Sequence, residues 1–391
     1  MTDAATFNRA VHRLAPPPIS SVQQWAKSYS GDRGPLVDLA QAVPGYPPHQ
    51  DLLRWLADAA GRAENCGYGP IEGEPELRHA YARHVTELYG AGVGPSNIHI
   101  TAGCNQAFVA AVMAIAEAGE SVLLVTPFYF NHATSLEMLG IHPQLVKSRA
   151  DAGFVPDPEA IEAAIHPGVR ALALVTPNNP TGAVYPRETV QAIYDVCRRN
   201  GIWLLLDETY RDFLERAESS PHDLLVQTGW EDTVIQLYSF SKSFCIPGHR
   251  LGAITAGPDV IAEVAKIMDN LQICAPRVPQ KAVARGLPAL IEWRENNRRE
   301  ILDRARAFQS ALAPLSEWEI CSLGAYFAYV RHPFEGSTSV QIAERLAREA
   351  GVATVPGEYF GPGQERYLRV AFANANAEST ALLTRRLRSL A

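Results

Sequence analysis

Ile202-Trp203-Leu204-Leu205-Leu206-Asp207-Glu208-Thr209-Tyr210 is the stretch on which the fold turns. Its apolar residues run on without polar alternation, which reads as a strand buried on both faces, as in a parallel sheet covered by helices on each side. The run stops at two carboxylates, so the strand delivers Asp207 at its carboxyl end. Similar strand-sized runs stand at 98–102, 121–126, 171–176, 233–238 and 251–256. Between them, 74–89, 105–117 and 187–200 repeat apolar residues at spacings of three and four, the period of an amphipathic helix. This alternation predicts an α/β core around a largely parallel sheet, whose ligands gather beyond the carboxyl ends of the strands.

After about Pro288 the texture changes to a long charged helix over 291–313. A strand around 325–330, a helix over 339–349, strands at 352–355 and 367–372 and a closing helix follow. These predict a second, smaller α+β domain. The division expected is an N-terminal arm with part of the small domain in 1–48, a large domain carrying the strand-end site in 49–287 and the C-terminal small domain in 288–391.

The chain has 391 residues, 35 Lys plus Arg against 42 Asp plus Glu, a net charge of -7 and 47% hydrophobic residues. That field gives no electrostatic reason to expect nucleic acid or anionic lipid as a partner. Residues 1–15 mix charges with small residues and lack the apolar stretch of a secretory signal, and the apolar runs are far too short to cross a bilayer. Six cysteines stand singly without CxxC spacing, and eleven histidines form no helical pair, so neither disulfides nor a metal site is expected. A cytoplasmic protein away from membranes is the expectation.

The segment richest in chemistry is Ser239-Phe240-Ser241-Lys242-Ser243-Phe244-Cys245-Ile246-Pro247-Gly248-His249-Arg250-Leu251-Gly252, just after a strand. A lone loop lysine is ordinarily a solvated one. Here Arg250 can supply the nearby cationic charge that keeps a partly desolvated amine nucleophilic, fit for a Schiff base with an aldehyde. An arginine converging with a serine hydroxyl also makes a phosphate site. Lysine beside a phosphate anchor points to pyridoxal phosphate. A carboxylate such as Asp207, set against a pyridine nitrogen, would keep that nitrogen protonated.

The segment resembles the cofactor-lysine signature of the class I/II aminotransferases, pyridoxal phosphate enzymes of fold type I, and the likeness can be followed from about residue 37 to residue 373. By that resemblance Lys242 holds the cofactor as a Schiff base and moves the proton at the substrate's Cα, while Ser239 and Arg250 bind phosphate. Asp207 is then the partner of the ring nitrogen, and Tyr210 and Asn179, in Thr176-Pro177-Asn178-Asn179-Pro180-Thr181-Gly182, bond the ring oxygen. The amides of Gly103, Cys104 and Asn105, opening a helix, form the phosphate cradle; Cys104 is a small filler there and not a nucleophile. Tyr129, after Thr126-Pro127-Phe128, stacks on the pyridine ring, with Phe128 and Phe130 packing inward. Arg369, in Tyr367-Leu368-Arg369-Val370, clamps the substrate α-carboxylate, and Ala42 stands in the strip over the substrate where glycine is usual. Tyr68 reaches the neighbouring subunit's phosphate, which implies a homodimer with shared active sites.

The activity implied is transfer of an amino group between an amino acid and a 2-oxo acid by a ping-pong mechanism. A β-eliminating lyase or cyclising synthase of the same fold is the alternative, since the cofactor residues look the same. A regulatory protein fused to a DNA-binding module would need an extra basic helical segment, for which the start of the chain has no helix-turn-helix pattern. Arg277 is the only arginine in a region suited to a side-chain carboxylate. Tyr129, Tyr46, Tyr359 and Phe360 offer aromatic surface, so a neutral, aromatic or long aliphatic side chain is expected.

Overall fold

The computed structural model describes residues 7–215 and 220–390; the first six residues of the expected arm and the last residue of the small domain lie outside them. Among the described residues the strands are β1 (Val37–Asp38), β2 (Ile98–Thr101), β3 (Ser121–Thr126), β4 (His142–Lys147), β5 (Val169–Val175), β6 (Trp203–Asp207), β7 (Val234–Ser239), β8 (Gly252–Thr255), β9 (Glu319–Gly324), β10 (Phe327–Arg331), β11 (Val352–Ala353), β12 (Val355–Pro356) and β13 (Tyr367–Val370). Seven of them form one sheet in the order β2-β8-β7-β6-β5-β3-β4. All neighbours pair in parallel except at β8, which runs antiparallel to both β7 and β2.

The unbroken apolar run of β6 has its cause in helices on both faces. Leu204 and Leu206 pack with Leu77, Tyr81, Ile193 and Val283 on one side. Leu205 packs with Phe108, Ala111, Val264 and Met268 on the other. Both faces are thus apolar, and the α/β expectation holds.

Besides the two-residue β1, two strands escaped the sequence reading for the same physical reason. β4 and β9 each form the edge of their sheet. Of the six residues in β4 only Val146 is buried, and Pro143 sits within it, as an edge strand allows. β9 has no buried residue at all.

Four strands make the second sheet, in the order β12-β13-β10-β9. Its core takes in Ile301, Phe308, Tyr326, Leu346 and Leu368 together with Val22, Trp25, Val37 and Leu39 from the start of the chain. β1 pairs in parallel with β11. The long helix Ile291–Leu312 joins the cores, running on from Leu290 in the first to Ile301 and Phe308 in the second. No helix among the described residues is long and apolar enough to cross a membrane.

Arg386 fastens the start of the chain to its end. Its side chain is 1% exposed and donates to Gly351 O at 2.7 Å, Arg33 O at 2.9 Å and Pro35 O at 2.7 Å. Removing the guanidinium leaves three carbonyls without their donor, a cost on the order of 3 kcal/mol. Arg386→Ala should therefore lower the denaturant midpoint by a corresponding amount, whereas Arg386→Lys, which can satisfy part of the set, should fall between; an unchanged Arg386→Ala midpoint would refute this account.

Candidate active site

Strand register assembles the site. Ser239 and Thr101 both lie opposite Gly252, and Val175 lies opposite Asp207. The carboxyl ends of β2, β3, β5, β6 and β7 therefore share one edge of the sheet. Because β8 runs the other way, its amino end, and Arg250 just before it, arrive at that same edge. A cavity of about 320 Å³ opens there, lined by Cys104, Asn105, Tyr129, Asn179, Asp207, Tyr210, Ser239, Lys242, Arg250, Ala42 and Arg369. A larger groove, of about 910 Å³, lies between the helices Gln50–Ala60, Pro75–Tyr89 and Arg277–Ala289 and is bordered by none of the expected site residues.

Lys242 lies in a four-residue helical turn, Phe240–Ser243, capped by Ser239, whose Oγ accepts from Ser241 N. Its Nζ donates to the carbonyl oxygen of Ala42. Burial, and then the charges of Arg369 and Arg250, push the amine down to about 8.

At the opposite wall Asp207 is 5% exposed. Its Oδ1 accepts from Thr209 N at 2.9 Å, and Oδ2 lies 3.6 Å from His132 Nε2. Burial favours the protonated acid, but His132 and the bonds from Thr209 outweigh it and hold the carboxyl below its usual range. His132 stacks on Phe108 with centroids 3.9 Å apart. This histidine was not foreseen, since nothing in sequence links it to an acid 75 residues on.

Cys104 and Asn105 open the helix Cys104–Ile115 with Gly103 as its cap. Gly103 has φ +89°, and a Cβ on it would run into the Arg250 guanidinium. A Cβ on Gly252 would lie 2.7 Å from the Gly103 carbonyl carbon. Arg250 donates to Pro247 O at 3.0 Å and Ala102 O at 3.5 Å. The Cys104 thiol is pushed up by burial and by the charge of Asp207, away from the reactive thiolate.

Arg369 lies on an interior strand, opposite Tyr329 of β10 and Val355 of β12, and is 2% exposed. It donates to Asn179 Oδ1 at 3.0 Å and Ala40 O at 2.6 Å, and its Nε has no partner. Burial pushes it down to about 10. Because a guanidinium only donates, Asn179 must offer it the amide oxygen, which leaves the NH2 pointing elsewhere. Burial raises the hydroxyls of Tyr129, to about 12, and of Tyr210.

Several placements differ from expectation. Phe130 lines the cavity instead of packing inward, while Tyr46, Tyr359 and Phe360 do not border it; Ile19 and Val43 do. Ser241, whose Oγ is buried without a partner, also faces the cavity; the signal for it was its place directly before the lysine. Tyr68 is 79% exposed and outside the cavity. Arg277 is held at 2.5 Å by Glu74 and at 2.5 Å by Glu64 O, so it braces the segment around Tyr68.

Comparison with known proteins agrees with this geometry. The family description "Aminotransferase class I and II" matches residues 35–387. The chain is 29% identical to aromatic aminotransferase ISS1 of Arabidopsis thaliana, over 90% of this chain and 89% of that protein. It is 31% identical to the aspartate/prephenate aminotransferase of Thermus thermophilus, over 83% and 84%. The solved aspartate aminotransferase from Thermus thermophilus with maleate matches with a TM-score of 0.91 at 26% identity, covering 99% of this chain and 100% of that one. With the lysine, the carboxylate and the two arginines gathered around one cavity, the chain belongs to the class I and II aminotransferases, enzymes of fold type I.

Proposed function

We propose that the protein moves an amino group between a neutral or aromatic amino acid and a 2-oxo acid, with pyridoxal 5'-phosphate bound at Lys242. One observation carries the reading: the cavity sets three cations, Lys242, Arg250 and Arg369, against the single carboxylate of Asp207. That excess suits a ligand pair bearing two anions, a phosphate and an α-carboxylate. The partnerless Ser241 Oγ and Arg369 Nε are the acceptor-seeking groups such anions would satisfy. The residues present therefore fit the cofactor.

When bound, pyridoxal phosphate supplies an aldehyde that condenses with amines and a ring that draws electrons from the substrate's Cα. Ser239, Ser241, Arg250 and the amides of Cys104 and Asn105 would hold its phosphate. Asp207 keeps a negative charge where a protonated ring nitrogen needs one. Tyr210 and the turned NH2 of Asn179 would donate toward the ring oxygen, and Tyr129 would cover the ring face. Arg369 orients the substrate by its carboxylate. Lys242, its amine depressed to about 8, would accept the proton from the substrate's Cα and hold it for return.

Substrate choice follows from which cations are free. No lysine or arginine beyond these three lines the cavity among the described residues, and Arg277 is engaged by Glu74. Burying a side-chain carboxylate without a partner costs several kcal/mol. Ile19, Val43 and Phe130 offer apolar contact instead. Tyr68, exposed on the single chain, is assigned to the partner's phosphate in a homodimer.

Four experiments test this. Lys242→Ala should abolish the visible absorbance of the holoenzyme and lower transamination by about three orders of magnitude or more; an unchanged spectrum with intact activity would sink the assignment. Since only the neutral amine attacks, cofactor capture by the apoenzyme should rise about tenfold per pH unit below 8 and level off above it, as stopped-flow absorbance would show. In a panel of amino donors scored by kcat/KM, with ammonia release monitored, neutral and aromatic donors should lead; aspartate ahead by about tenfold, or about 1.4 kcal/mol, would overturn the pocket reading. Mixing inactive Tyr68→Phe and Lys242→Ala proteins should restore part of the activity through hybrid dimers, and no recovery despite demonstrated subunit exchange would remove the shared-site proposal.

A further inference from the structure

Behind the cavity lies a buried polar cluster that the chemistry above does not use. Tyr238, the residue before Ser239, is fully buried. Its hydroxyl donates to Asp212 Oδ2 at 2.7 Å. With its one proton committed there, it accepts from Ser243 Oγ, also at 2.7 Å. Asp212 in turn lies 3.7 Å from Arg294. The Tyr238 ring is fixed as well: the Arg211 guanidinium lies 4.2 Å over it, Tyr81 stacks on it at 5.4 Å and Phe240 meets it edge-on at 5.0 Å.

The two ends of this chain of hydroxyls are not arbitrary places. Ser243 directly follows Lys242 in a helical turn of four residues, too short to hold itself in water. Asp212 belongs to the turn Arg211–Phe213, which directly follows Tyr210. We propose that Tyr238 is a positioning residue for Lys242, locking the lysine's turn to the turn that carries Tyr210 through the chain Ser243–Tyr238–Asp212. In a dry interior such a chain polarises along its length and resists distortion more than one bond would. Tyr238 does not line the cavity, so it acts only through where it sets Lys242. The inference rests on the reading of Lys242 as the reacting amine.

Tyr238→Phe deletes only the hydroxyl and keeps the ring under Arg211; Ser243→Ala cuts the chain at its other end with little risk to folding. Each variant, the double variant and Lys242→Ala would be measured as cofactor-loaded full-length protein. For each single variant kcat should fall about tenfold with KM within about twofold. The pH midpoint of the cofactor's visible band should move by about half a unit or more. The double variant should be no worse than the poorer single, because both cut one chain. Wild-type kcat and midpoint in the single variants, a loss of thermal stability alone, or additive losses in the double would each overturn the proposal while Lys242→Ala stays inactive. An active Lys242→Ala protein would instead bring down the reading of the lysine itself.

Discussion

The site depends on the close approach of two backbone segments, one at Gly103 and the other carrying Arg250 and Gly252. The antiparallel strand β8 is threaded between two strands that run against it, and that placement draws Arg250 to the sheet edge where the others end. The space left is so small that a single methyl on Gly103 would strike the guanidinium. Arg250 itself adopts φ +51°, a left-handed conformation that costs a residue with a Cβ on the order of 1 kcal/mol or more. The packing around it sustains that conformation, and in return a fixed cation stands at the amino end of a twelve-residue helix.

Four arginines, Arg369, Arg250, Arg277 and Arg211, divide by what they are bonded to. Arg369 and Arg250 have backbone or amide oxygens as partners. Such neutral acceptors leave the positive charge uncompensated and able to draw an anion. Arg277 and Arg211 face the carboxylates of Glu74 and Glu208, which settles their charge within the protein. Arg211 is further enclosed by the rings of Tyr81, Tyr89 and Tyr238. The first kind can meet a ligand, and the second holds the frame around it.

Much of this was legible in the chain because the chemistry sits at strand ends, where an apolar run gives way to a polar group. Asp207 and Lys242 could be found that way, and Arg369 by its intrusion into a β-forming run. What escaped was set by partners distant in sequence. His132 gains its meaning only from packing on Phe108 beside Asp207. Ile19 lines the cavity although it lies on the N-terminal helix Pro18–Lys27. The edge strands β4 and β9 were missed because little of them is buried and the pattern read from a sequence is the pattern of burial. Tyr46 illustrates the converse error: its nearness to the strip suggested a pocket wall, but its ring lies 5.5 Å beneath the Arg304 guanidinium.

The second core sets an order of events at the ribosome. Val22, Trp25, Val37 and Leu39 share a core with Ile301, Phe308, Leu346 and Leu368, so an apolar segment made early waits for one made much later. At about 5–20 residues per second, synthesis of the intervening chain takes on the order of ten seconds to a minute. The first core gathers residues between Leu52 and Leu290 and is complete before that wait ends. Until those partners emerge, the amphipathic helix bearing Val22 and Trp25 lacks the cover they give its apolar stripe, so its hydrophobic face is held open to solvent or to other chains for that interval.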